Sequence, residues 1–424
     1  MTDPADLSAT EAAKHLAGGR LTAAALMEAC LDRIARRDPQ LHAFVHCDPA
    51  PAMAQAAAAD RRPPRGPLHG LPLAVKDVLD TADMPTGYGS PIWSGFRPRA
   101  DAVAVAQARS AGALVIGKTV TTEFATRKPG PTVNPHHSGH TPGGSSSGSA
   151  AAVAAGFCPL AYGTQTAGSI IRPAAFCGIV GYKPSFGFIH RAGMKVMSET
   201  LDTIGVLARS VADCALMMSA VTGRDLGDPD EAPGTSPRLA LVIGPSDAAA
   251  PETVARLLEI AGLLRRAGAQ VDEPALPQEA IAAFAVHGTV MNMEIAQALG
   301  WELATAPDGL SELLHETIGW ARTQPATVLD EGREVFLRAR RAFAAWMAGY
   351  DAVITPSAIG EAPEGLGNTG NPVFNTLWSA LNAPCVTVPA GPGPRGLPLG
   401  LQVVGVEGRD RATLAWARWI EARL

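Results

Sequence analysis

Residues 143–172, GGSSSGSAAAVAAGFCPLAYGTQTAGSIIR, constrain this chain more than any other stretch. A glycine/serine run leads into a small-residue helix and then into a second glycine/serine turn. Side chains this small let backbone approach a reacting group closely. Ser145 and Ser169 each follow a glycine, and Lys76 stands upstream in GLPLAVKD. Two hydroxyls, one amine and a cluster of unencumbered backbone N–H groups are the equipment for acyl transfer.

With 424 residues, 47% of them hydrophobic and 18% charged, the chain can bury a large core. The net charge of −5 disfavours a nucleic-acid or anionic-membrane surface. The six cysteines (Cys30, Cys47, Cys158, Cys177, Cys214, Cys385) show neither C-x-x-C nor zinc spacing, so reduced, buried thiols are expected. The first residues, MTDPADLSATEAAKHL, contain no apolar h-region. No run reaches the roughly 18 apolar residues of a membrane span. A cytoplasmic protein is the expectation.

Ser8-Ala-Thr-Glu11 reads as a capping box. A second helix starts at Thr22 with Leu26, Cys30 and Ile34 on one stripe. LPLAVKD reads as a strand ending in Lys76, DAVAVAQARSAG as a helix and ALVIG as a buried strand. That alternation predicts an at least partly parallel sheet. Residues 134–149 form a long polar loop, and 224–237 a Pro/Gly/Asp linker. Residues 278–347 read as a helical layer or lid, followed by three apolar strands and a closing helix.

A serine hydroxyl needs a base. Of the six lysines, Lys76 alone ends an apolar strand, and burial would bring it towards neutrality. The alternative is a strand-end lysine snorkelling to solvent. His136, His137 and His140 have no acidic or cysteine partner nearby and read as loop histidines, so no metal is expected. G-x-S-x-G occurs at 144–148 without a strand before it, which argues against a nucleophile elbow. Neither G-x-G-x-x-G, at 365–370 or 391–396, falls between a strand and a helix, so no dinucleotide cofactor is expected.

The motifs together resemble the amidase signature family. Gly70, Pro72, Lys76 and Asp77 match its G-x-P-x-x-x-K-D; residues 142–149 match its P-G-G-S-S-x-G-S run; GTQTAGSIIRPAAFCG matches its nucleophile segment. GYKPSFG and PLGLQVVG extend the likeness nearly to the end of the chain. The resemblance implies one domain over 1–424, an α/β/α sandwich around a large mixed β-sheet, with 60–220 as catalytic core and 278–347 shaping the pocket. It implies Ser169 as acyl-forming nucleophile, Ser145 as bridging serine after a cis peptide bond, and Lys76 as base. Backbone N–H groups of Thr166, Ala167, Gly168 and Ser169 would form the oxyanion hole.

Two departures stand out. Gln165 and Ala167 replace the family's Asp and Gly, and Ala167 is tolerated only at negative φ. Gln165 is counted among the substrate-binding candidates. Arg172 lies three residues after Ser169 where the family's usual arginine lies two after, and this altered motif resembles the malonamidase branch. Pro173, next to it, disfavours α geometry at 172. Arg172 is either half of a structural ion pair or a grip on a substrate carboxylate. The resemblance implies an amidohydrolase that cleaves a small carboxamide such as malonamate through an acyl-enzyme. The alternatives are a biuret-type ureide hydrolase and the glutaminase component of a tRNA-dependent amidotransferase. A non-catalytic scaffold would lack a triad residue, and all three are present. No cofactor, nucleic-acid or membrane partner is expected, and a homodimer is among the assemblies allowed.

Overall fold

The central strands are buried from end to end because both faces of the sheet are covered, which is the pattern of a sheet sandwiched between helices. The computed structural model describes residues 3–228, 230, 231 and 234–424. Its strands in chain order are β1 (Phe44–His46), β2 (Pro72–Lys76), β3 (Leu114–Thr119), β4 (Leu160–Gln165), β5 (Val180–Lys183), β6 (Thr203–Ala208), β7 (Arg238–Leu241), β8 (Gln270–Asp272), β9 (Ala352–Pro356), β10 (Cys385–Pro392) and β11 (Pro398–Val404). They form one mixed sheet in the order β1-β3-β2-β4-β6-β5-β10-β11-β9-β7-β8. Every residue of β2, β3, β4 and β6 is buried. The fold is α/β/α, as the sequence leads one to expect.

The parallel trio β3-β2-β4 positions the site. In such sheets ligands collect beyond the carboxyl ends of the strands. Here β2 ends at Lys76 and β4 at Gln165, so both strands deliver their last residues to one place. The helix Ser147–Ala154, SGSAAAVA, is buried on all sides and lies on β2, β3, β4 and β6. Its small residues are a steric requirement: a Cβ on Gly148 would run into the carbonyl oxygen of Ala43 and the amide of Val120.

The capping box at Ser8 and Glu11 forms, and the next helix runs Ala23–Leu41 from a Thr22 cap. Helices Gln278–Ala298, Gly300–Thr305, Glu312–Arg322 and Ala326–Trp346 fill the expected helical region. Of the expected linker, Pro229, Ala232 and Pro233 lie outside the described residues, as do Met1 and Thr2 of the N-terminal reading. Residues 365–370 do lie between a strand and a helix, β9 and Val373–Ala380, contrary to expectation; a long loop rather than a tight βα turn joins the two. Among the described residues no helix is long and apolar enough to cross a membrane.

Candidate active site

Lys76 is fully buried, not snorkelling. Its ammonium nitrogen lies 2.8 Å from Ser145 Oγ and 2.7 Å from Thr164 Oγ1, with the Thr164 carbonyl at 3.5 Å. Asp77, next in sequence, forms an ion pair with Lys118 (3.2 Å) instead. Lys76 therefore has no carboxylate in contact. Burial pulls it from 10.5 down to about 7, opposed by the charge of Asp202. An amine with that pKa is a usable base near neutral pH.

Ser145 is buried at the cis peptide bond Gly144–Ser145, in the irregular segment before helix Ser147–Ala154. Ser146 secures this turn to β4, since its Oγ accepts from Thr164 N at 3.2 Å. Ser146 N in turn donates to the carbonyl of Ser169 at 3.3 Å, which joins the two serine loops. Ser169 is half-buried, and its hydroxyl has no protein partner among the described residues; it is not hydrogen-bonded to Ser145 Oγ.

Residues 166–169 form the turn after β4 and line a cavity of about 880 Å³. Ala167 is absent from the positive-φ residues, which is why an alanine is accepted where the family has glycine. Gly168 cannot be replaced in the same way, because a Cβ there would collide with Asn375 Oδ1. Thr166 is held from its side chain, whose hydroxyl donates to Asp202 Oδ1 at 2.5 Å. Asp202 also accepts the Met197 and Ser198 amides at 2.7 and 3.1 Å.

Gln165, expected from sequence among the substrate-binding residues, is instead turned into the protein. Its Oε1 accepts from Ile170 N (2.9 Å) and Ile171 N (3.1 Å), and its Nε2 donates to Ser379 Oγ (3.1 Å). Both polar ends are occupied by protein, and Gln165 is not among the residues lining the cavity. Its work is to brace the turn carrying Ser169.

Arg172 sits in the first turn of helix Ile171–Cys177. Pro173 does not prevent helical geometry there, since the fixed φ of proline suits the first turn of a helix. One guanidinium nitrogen donates to Gly144 O (2.7 Å) and Thr369 Oγ1 (3.0 Å). Its Nε and other terminal nitrogen have no partner, and no acidic group pairs with it among the described residues. The structural ion pair is thereby ruled out. Burial lowers Arg172 to about 10. Elsewhere in the cavity lining, Met197, Met291, Ile295, Leu313 and Leu314 make an apolar wall. The loop histidines hold backbone: His136 meets Cys177 O at 2.9 Å and His140 meets Ala362 O at 2.8 Å.

Sequence reasoning missed Thr164, Asp202 and Thr369. Thr164 alone left a local signal, a hydroxyl at the end of a buried strand facing the lysine strand. The other two reach the site across 36 and 197 residues of chain.

A profile of the family described as Amidase matches residues 25–414, and the chain belongs to that family. A glutamyl-tRNA(Gln) amidotransferase component from Chloroflexus aggregans is 45% identical over 247 residues, which is 56% of this chain and 51% of the relative. The chain thus spans about half the length of that relative and of others like it. The protein of the same name from Dinoroseobacter shibae is 33% identical over 96% of this chain and 94% of its own. Among solved structures, the peptide amidase of Stenotrophomonas maltophilia superposes with a TM-score of 0.84 at 30% identity, covering 99% of this chain and 97% of that one.

Proposed function

We propose that the chain is an amidohydrolase that works through an acyl-enzyme on Ser169. One observation carries this reading: a buried Lys76 with a pKa of about 7, its nitrogen 2.8 Å from Ser145 Oγ. Neutral Lys76 accepts the Ser145 proton while Ser145 accepts that of Ser169. The freed Oγ attacks the amide carbon. Backbone N–H groups of residues 166–169 stabilise the oxyanion, each worth roughly 3 kcal/mol in the transition state. The relay then returns its proton to the departing nitrogen, and water releases the acyl group as a carboxylate. The Ser145–Ser169 hydrogen bond closes in the substrate complex, where loose catalytic contacts commonly tighten.

Arg172 lines the cavity as a cation with no acidic partner among the described residues, which supports recognition of a carboxylate or second carbonyl on the substrate. The cavity is larger than malonamate needs, and its apolar wall favours an amide with a sizeable apolar group. The helical layer at 278–347 contributes much of that wall and sets the substrate's shape. The test is amide hydrolysis by the purified chain alone, on malonamate, neutral aliphatic amides, aryl amides, biuret-type ureides and glutamine, with Ser169→Ala as control. Turnover abolished in the control is expected; equal turnover in both overturns the reading.

The names of the relatives favour a second reading, the glutaminase component of an amidotransferase. Glutamine hydrolysis that appears only when partner subunits and tRNA are added would establish it. Homodimer formation stands as a proposal, checked by the solution mass of the purified chain.

A further inference from the structure

Three consecutive peptides in the turn after β4 have their carbonyls held by other parts of the fold. Thr166 O faces His287 Nε2 at 3.1 Å. Ala167 O accepts from Ser379 Oγ at 2.8 Å. Gly168 O accepts from Arg172 N at 3.0 Å. The bonds between these residues are trans, the cis peptides of the described chain lying elsewhere. In a trans peptide the C=O and the following N–H point in opposite directions. Fixing each carbonyl therefore fixes the next amide: Ala167, Gly168 and Ser169 in turn. None of these three N–H groups meets a protein acceptor among the described residues, and all three residues line the cavity.

We propose that His287 and Ser379 are positioning residues of the oxyanion hole, pinning the Thr166 and Ala167 carbonyls so that the Ala167 and Gly168 N–H groups face the reacting carbonyl. This rests on the reading of Ser169 as nucleophile.

His287 is suited to the task. A carbonyl can only accept, so the ring must carry its proton on Nε2. Burial holds the ring's pKa down to about 4, which keeps it neutral with that tautomer. The residue comes from helix Gln278–Ala298, one turn before Met291, which lines the cavity. Further along the same helix, Glu294 accepts hydrogen bonds from Ser198 Oγ and Thr200 Oγ1, beside the Asp202 that holds the Thr166 side chain. The helical layer and the nucleophile turn are thus clamped at two levels. Ser379 is aimed by its own bond from Gln165, so the turn is braced as a closed circuit.

The test uses the full chain and an alkyl fluorophosphonate, so no natural substrate is required. Ser169 Oγ attacks phosphorus, a P–O bond forms, the P–F bond breaks, fluoride leaves and the relay takes the proton. Phosphorus also passes through an oxyanion-bearing transition state, so the labelling rate reads the hole. In His287→Phe, which keeps a ring and loses the donor, the maximal labelling rate should fall on the order of 100-fold while the concentration for half-maximal rate moves little. His287→Gln, which can still donate, should recover most of that rate. Ser379→Ala should fall about 10-fold and carries the test if His287→Phe does not fold. A labelling rate in His287→Phe or Ser379→Ala within threefold of wild type overturns the inference, as does equal slowing in His287→Gln and His287→Phe. Wild-type protein left unlabelled at Ser169 overturns the nucleophile itself, and this inference with it.

Discussion

Two lysines lie on adjacent parallel strands, one register position apart, both fully buried, in opposite circumstances. Lys118 on β3 has Asp77 at 3.2 Å and Thr86 Oγ1 at 2.5 Å. Burial lowers its pKa, and the Asp77 charge pushes it back up. Lys76 on β2 has only hydroxyls and a carbonyl in contact, with Asp202 acting from a distance. A carboxylate in contact opposes the shift that burial brings, and Lys76 has none. Arg172, another buried cation, follows the unpaired pattern, and it faces the cavity.

The comparison breaks first at the catalytic end. Lys76→Ala and Ser169→Ala should each cost about 10⁴-fold or more in kcat, with the circular dichroism spectrum unchanged. Lys118→Met should instead act on stability. It leaves Asp77 as an uncompensated buried charge and should cost roughly 3–5 kcal/mol in denaturant unfolding. Adding Asp77→Asn should restore most of that, which would separate a structural pair from a catalytic one. Similar damage to kcat from Lys118→Met would erase the distinction.

Arg172→Ala sharpens the comparison on the substrate side. Losing charge-assisted hydrogen bonds worth about 1.5–3 kcal/mol should raise KM for carboxylate-bearing amides some 10- to 100-fold. Neutral amides should change much less, and equal effects on both would remove the carboxylate grip. A further expected effect is on the pH dependence of stability. The folded pKa of Lys76 lies below its unfolded value, so between about 7 and 10.5 the unfolded chain holds a proton that the folded one lacks. Stability from this group is lowest below pH 7 and recovers as pH rises to 10.5. Wild type should gain on Lys76→Met across that window, and a constant difference would argue against a depressed pKa.

The candidate catalytic elements were legible because their sequence signals are local. β2 ends where the apolar run meets Lys76, and the small-residue helix follows from SGSAAAVA. Lys76, Ser145 and Ser169 sit in short motifs, and the structure brings Lys76 onto Ser145 at 2.8 Å, while Ser169 Oγ is not hydrogen-bonded to Ser145. The surroundings were not legible, because His287, Thr369 and Ser379 reach the site from 121 to 212 residues downstream. A histidine in the apolar run FAVHGTVM was a signal of a buried polar contact, with nothing to say which carbonyl it meets. Gln165 escapes sequence reasoning for a related reason. A side chain next to the nucleophile turn can face the cavity or brace the turn, and only the position of Ser379 decides between them.

The direct measurement is a titration of the Lys76 side chain by NMR in protein carrying ¹³Cε-labelled lysine, assigned by its loss in Lys76→Met. A midpoint near 7, matched by the acid limb of the Ser169 labelling rate, is expected for an amine that starts the proton relay. A midpoint near the ordinary lysine value of about 10.4 would mean the group is charged at working pH and cannot serve as that base.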